Sequence, residues 1–246
     1  MSLILSAVVG ALMAVLINYL SDVLPISRRF SQPICHNCGK LFPTKDYLFS
    51  FRCPNCGNRT SARVILVTIF SIIASILVTL YPLDGISYWA TLPILVFLGV
   101  ILVIDIEFRV VLKETSYMGL ALFLVYGILM HGISFTFLGG VAGFLIMMAL
   151  YYLGILFNKL MGRFRGQEID EVALGFGDVY VGAFLGFFTG WPLIISVLFF
   201  AIIASGVFSL FYILVMLLLR RYRTFSAIPY TPFLILASIA MLYISK

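Results

Sequence analysis

Four cysteines and two aspartates are the residues whose types and spacing can do chemistry. The cysteines form two Cys-x-x-Cys pairs 14 residues apart, Cys35-His36-Asn37-Cys38-Gly39 and Cys53-Pro54-Asn55-Cys56-Gly57. Each pair lets two thiolates reach one metal from a tight knuckle, and the Gly that follows tolerates the positive φ such a turn needs. Two knuckles complete a tetrahedral Zn²⁺ shell from Cys35, Cys38, Cys53 and Cys56, a structural site with no open position. His36 is the competing ligand, but with four cysteines at hand it is read as exposed beside the knuckle. Disulfides are the alternative, disfavoured on a reducing membrane face.

Asp105, in Val103-Ile104-Asp105-Ile106-Glu107, and Asp178, in Gly175-Phe176-Gly177-Asp178, each abut a long apolar run. Desolvating a carboxylate there must be offset by a partner or a wet cavity, which makes both functional candidates. Two carboxylates sharing one site hold a single proton between them. The ionised member can take a proton from water as it attacks an amide carbonyl, while the protonated member gives its proton to the developing oxyanion and later to the leaving amine. Gly175 and Gly177, lacking Cβ, suit the close approach of a substrate backbone to Asp178. The plain alternative is that Asp178 caps a helix start and Asp105 ends one. These features alone leave both readings open.

Apolar helices must position these groups. Of 246 residues 63% are hydrophobic and 11% charged, against roughly half and about a quarter in soluble domains. Unbroken apolar runs also exclude a transmembrane barrel, whose strands alternate. Runs near Leu3–Leu24, Val64–Tyr81, Tyr88–Ile104, Ser116–Met130, Phe135–Phe157, Val179–Thr189, Pro192–Leu219 and Ile228–Ser245 predict an all-α polytopic membrane protein of about eight transmembrane helices. The first run lacks a basic stretch before it and a clear cleavage site after it, so it is read as a retained span. With the N-terminus outside, every Lys and Arg except Lys246 falls on the inner side, as the positive-inside rule requires. The division is residues 1–24 as the first helix, 25–63 as a cytoplasmic zinc-binding loop and 64–246 as the membrane core. A formal charge of +6, spread between apolar runs without a basic face, argues for topology and against nucleic acid.

Together the motifs resemble the type IV prepilin peptidase family: paired Cys-x-x-Cys in the first inner loop, Ile104-Asp105, Gly175-Phe176-Gly177-Asp178, and Ile228-Pro229-Tyr230-Thr231-Pro232-Phe233 opening the last span. They occur in family order. The resemblance implies an aspartic endopeptidase of the bacterial cytoplasmic membrane, embedded in the bilayer, with Asp105 and Asp178 as its catalytic pair and prepilin-like precursors carrying a basic leader as substrates. Asn18-Tyr19 resembles the family's Asn-Val ahead of the zinc loop, and Asn18 alone reads as a helix-helix hydrogen-bonding residue. Lys113-Glu114 stands where the family has Pro-Asp, and Tyr180 where it has Lys. Many members also methylate the new N-terminus with S-adenosylmethionine, an activity associated with a Glu early in the second span; Arg63–Phe70 contains no acid, which weighs against that cofactor.

Other residues have simpler readings. Glu168, Asp170 and Glu171 form a solvated acidic run that is also a candidate contact for a basic leader. Arg109 is read as a topological charge. The rival classes are a proton-coupled transporter, for which midplane acids and an internal repeat are absent, and a non-catalytic zinc-ribbon scaffold, which would tolerate loss of both aspartates. Neither the individual substrate nor an oligomeric state follows from the sequence.

Overall fold

In hydrocarbon the backbone N–H and C=O groups have no water to bond, so an apolar run satisfies them internally by becoming a helix. The computed structural model describes residues 2–28, 31–35, 38–41, 43, 47, 55–57, 62–83, 85–165, 174–219 and 229–245, with only the backbone of 161–165. Its helices are α1 (Leu3–Ser27), α2 (Ala62–Leu80), α3 (Tyr88–Phe108), α4 (Lys113–Arg165), α5 (Phe176–Thr189), α6 (Leu193–Leu218) and α7 (Thr231–Ile244). Among the described residues, extended pairing is confined to one isolated antiparallel bridge, Ile34 to Leu41. The described residues are thus all-helical apart from this bridge, as a polytopic membrane protein would be.

Among the described residues five helices are long and apolar enough to cross a membrane: α1, α2, α3, α4 and α6. The other two, α5 and α7, have 14 residues each, about 21 Å against a hydrocarbon core of ~30 Å. Length therefore supports five crossings directly, short of the expected eight. Large apolar side chains point outward, with Ile4 79%, Leu129 76% and Leu218 84% exposed. Such a surface would drive aggregation in water, whereas in lipid it carries no penalty.

The two runs expected at Ser116–Met130 and Phe135–Phe157 form the single element α4, broken at Gly132, whose φ of 77° and ψ of 170° are not helical. Glycine reaches this positive φ without a Cβ clash. The break folds the chain back, because a Cβ on Gly127 would lie 2.7 Å from Thr136 Cγ2, a contact a straight helix cannot make across nine residues.

The chain packs as two units, Met1–Phe108 and Arg109–Lys246. In the first, α1, α2 and α3 run up, down and up, and each end of the unit is tied by polar contacts. At one end Ser6 and Thr79 hydroxyls are 2.8 Å apart, Ser75 Oγ donates to the Ser6 carbonyl at 2.7 Å, and Tyr88 Oη lies 2.7 Å from Ser75 Oγ. At the other, Arg63 bridges Asp22 of α1 and Glu107 of α3.

In the second unit, the later arm of α4 lies antiparallel against α5 through two Gly-x-x-x-Gly stretches, Gly139/Gly143 and Gly182/Gly186. A Cβ on Gly186 would collide with the Gly139 carbonyl, and one on Gly143 with the Gly182 carbonyl. With no side chains between them the backbones touch, a close approach that supplies the dispersion contact membrane helices rely on. Phe123 then fills the adjacent space, its ring stacked on Phe184 with centroids 5.2 Å apart and tilted on Phe188 at 4.9 Å.

Candidate active site and metal centre

Asp178 is the third residue of α5, which starts at Phe176, three residues before the expected Val179, and it is 8% exposed. Both carboxylate oxygens accept hydrogen bonds. The Gly175 N–H donates to Oδ2 at 3.1 Å, while the Thr231 hydroxyl, from the first residue of α7, donates to Oδ1 at 2.8 Å. The first contact is a capping interaction, but with Gly175 as the N-cap residue and Asp178 at the third helical position accepting from its backbone, rather than Asp178 itself as the N-cap expected from the sequence. The second is a tertiary contact between buried side chains, and capping does not require it. Thr231 is completely buried.

The neighbouring glycines differ in their surroundings. A Cβ on Gly177 would lie 2.6 Å from Val111 Cβ, so close packing by itself accounts for glycine there. Gly175 is exposed, and a Cβ on it would meet Asp178 Oδ2 only at ordinary contact distance, 3.4 Å. Tyr180 turns into an aromatic cluster, with Phe176 at 5.4 Å and Tyr117 at 6.2 Å between ring centroids. Tyr230 Oη is buried and has no hydrogen-bond partner among the described residues.

Asp105 belongs to the first unit, in the last turn of α3, and is 5% exposed. Helix α3 ends at Phe108, and the next residue, Arg109, is exposed with a positive φ of 54°. Around that end sits a charged network that sequence reasoning passed over. Arg63 Nη1 donates to Glu107 Oε2 at 2.6 Å and Nη2 to Asp22 Oδ1 at 2.7 Å; the Tyr47 hydroxyl donates to Asp22 Oδ2 at 2.6 Å. Burial, and then the Asp22 carboxylate, push the Tyr47 phenol far up, so it remains a donor. Arg63, counted in the sequence as a loop charge, is the second residue of α2. Asp22, an acid inside the first apolar run, was the available signal.

Three of the expected metal ligands come together. The Sγ atoms of Cys35, Cys38 and Cys56 lie within 4.8 Å of one another, and Cys35 and Cys56 are 3.7 Å apart. A disulfide would need ~2.05 Å, whereas a tetrahedron of Zn–S bonds of ~2.3 Å has edges of about 3.8 Å. The first knuckle closes as expected, with Gly39 N–H donating to the Cys35 carbonyl at 2.8 Å, and Gly39 and Gly57 both take positive φ. Cys53, His36, Glu168, Asp170 and Glu171 lie outside the described residues. The loop rests on α1: Cys35 and Tyr47 pack against Tyr19, whose hydroxyl donates to the Ser31 carbonyl at 2.9 Å. Asn18 is buried and bonds within its own helix, donating to the Ala14 carbonyl at 2.9 Å.

Residues 92–210 match the sequence model of the type IV leader peptidase family. That stretch, just under half of the chain, resembles this family. Similar proteins include a prepilin leader peptidase/N-methyltransferase of Aeromonas salmonicida strain A449, 28% identical over 207 residues that cover 78% of this chain and 62% of the relative. Another, of Pectobacterium carotovorum subsp. carotovorum, carries the same name and is 31% identical over 173 residues, 64% of this chain and 56% of the relative. The chain thus spans about three fifths of the length of these curated relatives. No solved structure matches it. The stretch matched by the family contains Asp105 and Asp178, while the cysteine loop and Thr231 lie on either side of it.

Proposed function

We propose that the protein is a membrane-embedded aspartic endopeptidase that removes the basic leader from prepilin-like precursors. The observation that carries this reading is Asp178: a buried carboxylate in Gly-x-Gly-Asp, with both oxygens held by donors, inside the stretch matched by a leader-peptidase family. Asp105, buried at a helix end within the same stretch, is its proposed partner.

In the proposed reaction the ionised member of the pair takes a proton from a water molecule as the water oxygen bonds to the scissile carbonyl carbon. The protonated member gives its proton to the carbonyl oxygen, so the tetrahedral intermediate is neutral. Collapse breaks the C–N bond as the protonated carboxyl gives its proton to the departing nitrogen and the other carboxylate takes the proton of one hydroxyl of the intermediate, leaving a carboxylic acid, an amine and the pair again singly protonated. Thr231 and Gly175 fix the Asp178 oxygens, so the carboxylate needs no reorientation during the proton transfers.

The cysteine loop is assigned a structural role. Cys35, Cys38 and Cys56, with Cys53 as the fourth ligand, would hold Zn²⁺, whose chemistry here is to cross-link a loop too small for a core of its own. The proposed setting is the bacterial cytoplasmic membrane, crossed eight times with the two arms of α4 counted separately, and with the loop and both aspartates on the cytoplasmic side. Methyl transfer with S-adenosylmethionine is not part of the proposal, because α2 carries no carboxylate.

The test is to incubate the purified protein in detergent with a precursor whose basic leader precedes an apolar helix, and to locate the cut by mass spectrometry. A single cut at the leader boundary, lost in Asp105→Asn and in Asp178→Asn, supports the reading. Cleavage that persists in either variant overturns the pair.

A further inference from the structure

Helix ends fray, because the last four carbonyls of a helix lack intrahelical donors. Asp105 sits in such an end, three residues before α3 stops at Phe108. A group meant to exchange protons at a fixed point therefore needs its turn held from outside the helix.

Glu107, in the same turn, has such an outside contact. At ~100° per residue, side chains two positions apart point to nearly opposite sides of a helix, so fixing Glu107 sets the rotation of the turn that carries Asp105. Glu107 is gripped by Arg63, whose other nitrogen grips Asp22, with the Arg63 side chain 15%, the Asp22 side chain 9% and the Glu107 side chain 31% exposed. Only a planar guanidinium presents two donors in fixed divergence; an ammonium would favour one partner over the other. Asp22 in turn accepts from Tyr47, which packs beside Cys35 in the metal-binding loop. An unbroken chain of contacts thus runs from the cysteine loop to the turn bearing Asp105, all within the first unit.

We propose that Arg63 is a positioning residue for Asp105, and that the Tyr47–Asp22–Arg63–Glu107 chain makes the placement of Asp105 depend on the folded metal-binding loop. The proposal rests on the peptidase reading for the role of Asp105. It gives the loop, whose cysteines lie 49 to 70 residues before that aspartate in sequence, a mechanical connection to it.

The test uses the full-length protein in detergent, with hydrogen exchange of residues 104–108 read by mass spectrometry and cleavage kinetics read in parallel. Glu107→Gln and Tyr47→Phe are chosen because neither strands a buried charge. Each is expected to speed exchange in the last turn of α3 severalfold, leave residues 92–100 unchanged, and lower kcat about tenfold or more at nearly constant KM, since small misplacement of a reacting group costs orders of magnitude. Stripping metal with a chelator should speed the same amides in the parent protein and add little in Tyr47→Phe, and Zn²⁺ should reverse the effect only in the parent. A loss confined to general stability would instead raise exchange along all of α3 and lower the melting temperature. That result overturns the proposal, as do unchanged exchange at 104–108, unchanged kcat, or equal responses to metal in parent and Tyr47→Phe. Activity retained in Asp105→Asn would overturn the peptidase reading instead, whatever the exchange data show.

Discussion

Replacing Thr231 by Val removes one hydrogen bond and almost nothing else. The two side chains have nearly the same shape, Thr231 is completely buried, and its hydroxyl donates to Asp178 Oδ1 at 2.8 Å. A hydrogen bond to a charged group contributes ~1.5–3 kcal/mol. If that stabilisation is expressed on the reacting carboxylate, at ~1.4 kcal/mol per decade, kcat should fall about 10- to 150-fold. Thr231→Ser keeps the hydroxyl and loses one methyl, which costs about 1 kcal/mol of stability and should leave kcat within a few-fold of the parent. The assay is cleavage of a leader-bearing precursor by purified variants, with a melting curve in detergent as control. If Thr231→Val stays within about threefold of the parent in kcat, well under the expected loss of 1.5 kcal/mol, the contact does not serve Asp178 in catalysis. Equal impairment of the Ser and Val variants would show that packing, rather than the hydroxyl, matters.

Asp105→Asn and Asp178→Asn should each abolish cleavage with little change in melting temperature. At position 178 an amide can still accept from Gly175 N–H while donating to the Thr231 oxygen, so a large loss of stability there would refute the isosteric argument. Metal analysis of reduced protein should find about one zinc per chain, falling on replacement of Cys35 and Cys38; well under half an equivalent in intact protein would count against the site. Gly186→Leu should prevent α4 and α5 from closing, because even a Cβ there meets the Gly139 carbonyl; overpacking of this kind costs ~1–3 kcal/mol or more. A monodisperse variant with the parent's melting temperature would show that the glycine contact is dispensable. Activity should follow a bell-shaped pH profile governed by two macroscopic values of the coupled pair, and a single sigmoid would argue for one working carboxylate.

The membrane helices were legible in the sequence because hydrocarbon leaves the backbone no alternative. A long apolar run must become a helix wherever it sits, and the boundaries at Leu3, Tyr88 and Thr189 agree with those of the structure. Cysteine knuckles are equally local, since spacing and a following glycine suffice to aim two thiolates at one point. The aspartates also stood out, because a carboxylate beside an apolar run is costly. Arrangements that depend on partners distant in sequence were not legible. Thr231 lies 53 residues from the carboxylate it serves, and nothing in Pro-Tyr-Thr-Pro announces an acceptor. Arg63 reads as one more inner-side cation until α1 and α3 bring Asp22 and Glu107 to its two nitrogens. The Gly-x-x-x-Gly pairs drew no reading from the sequence, because their meaning depends on which helix faces which. Periodicity and composition report how a segment meets its solvent, an interaction each residue has on its own. Only the tertiary structure decides which side chains meet each other, because a hydrogen bond or a backbone contact belongs to two residues and exists only once packing has set their distance.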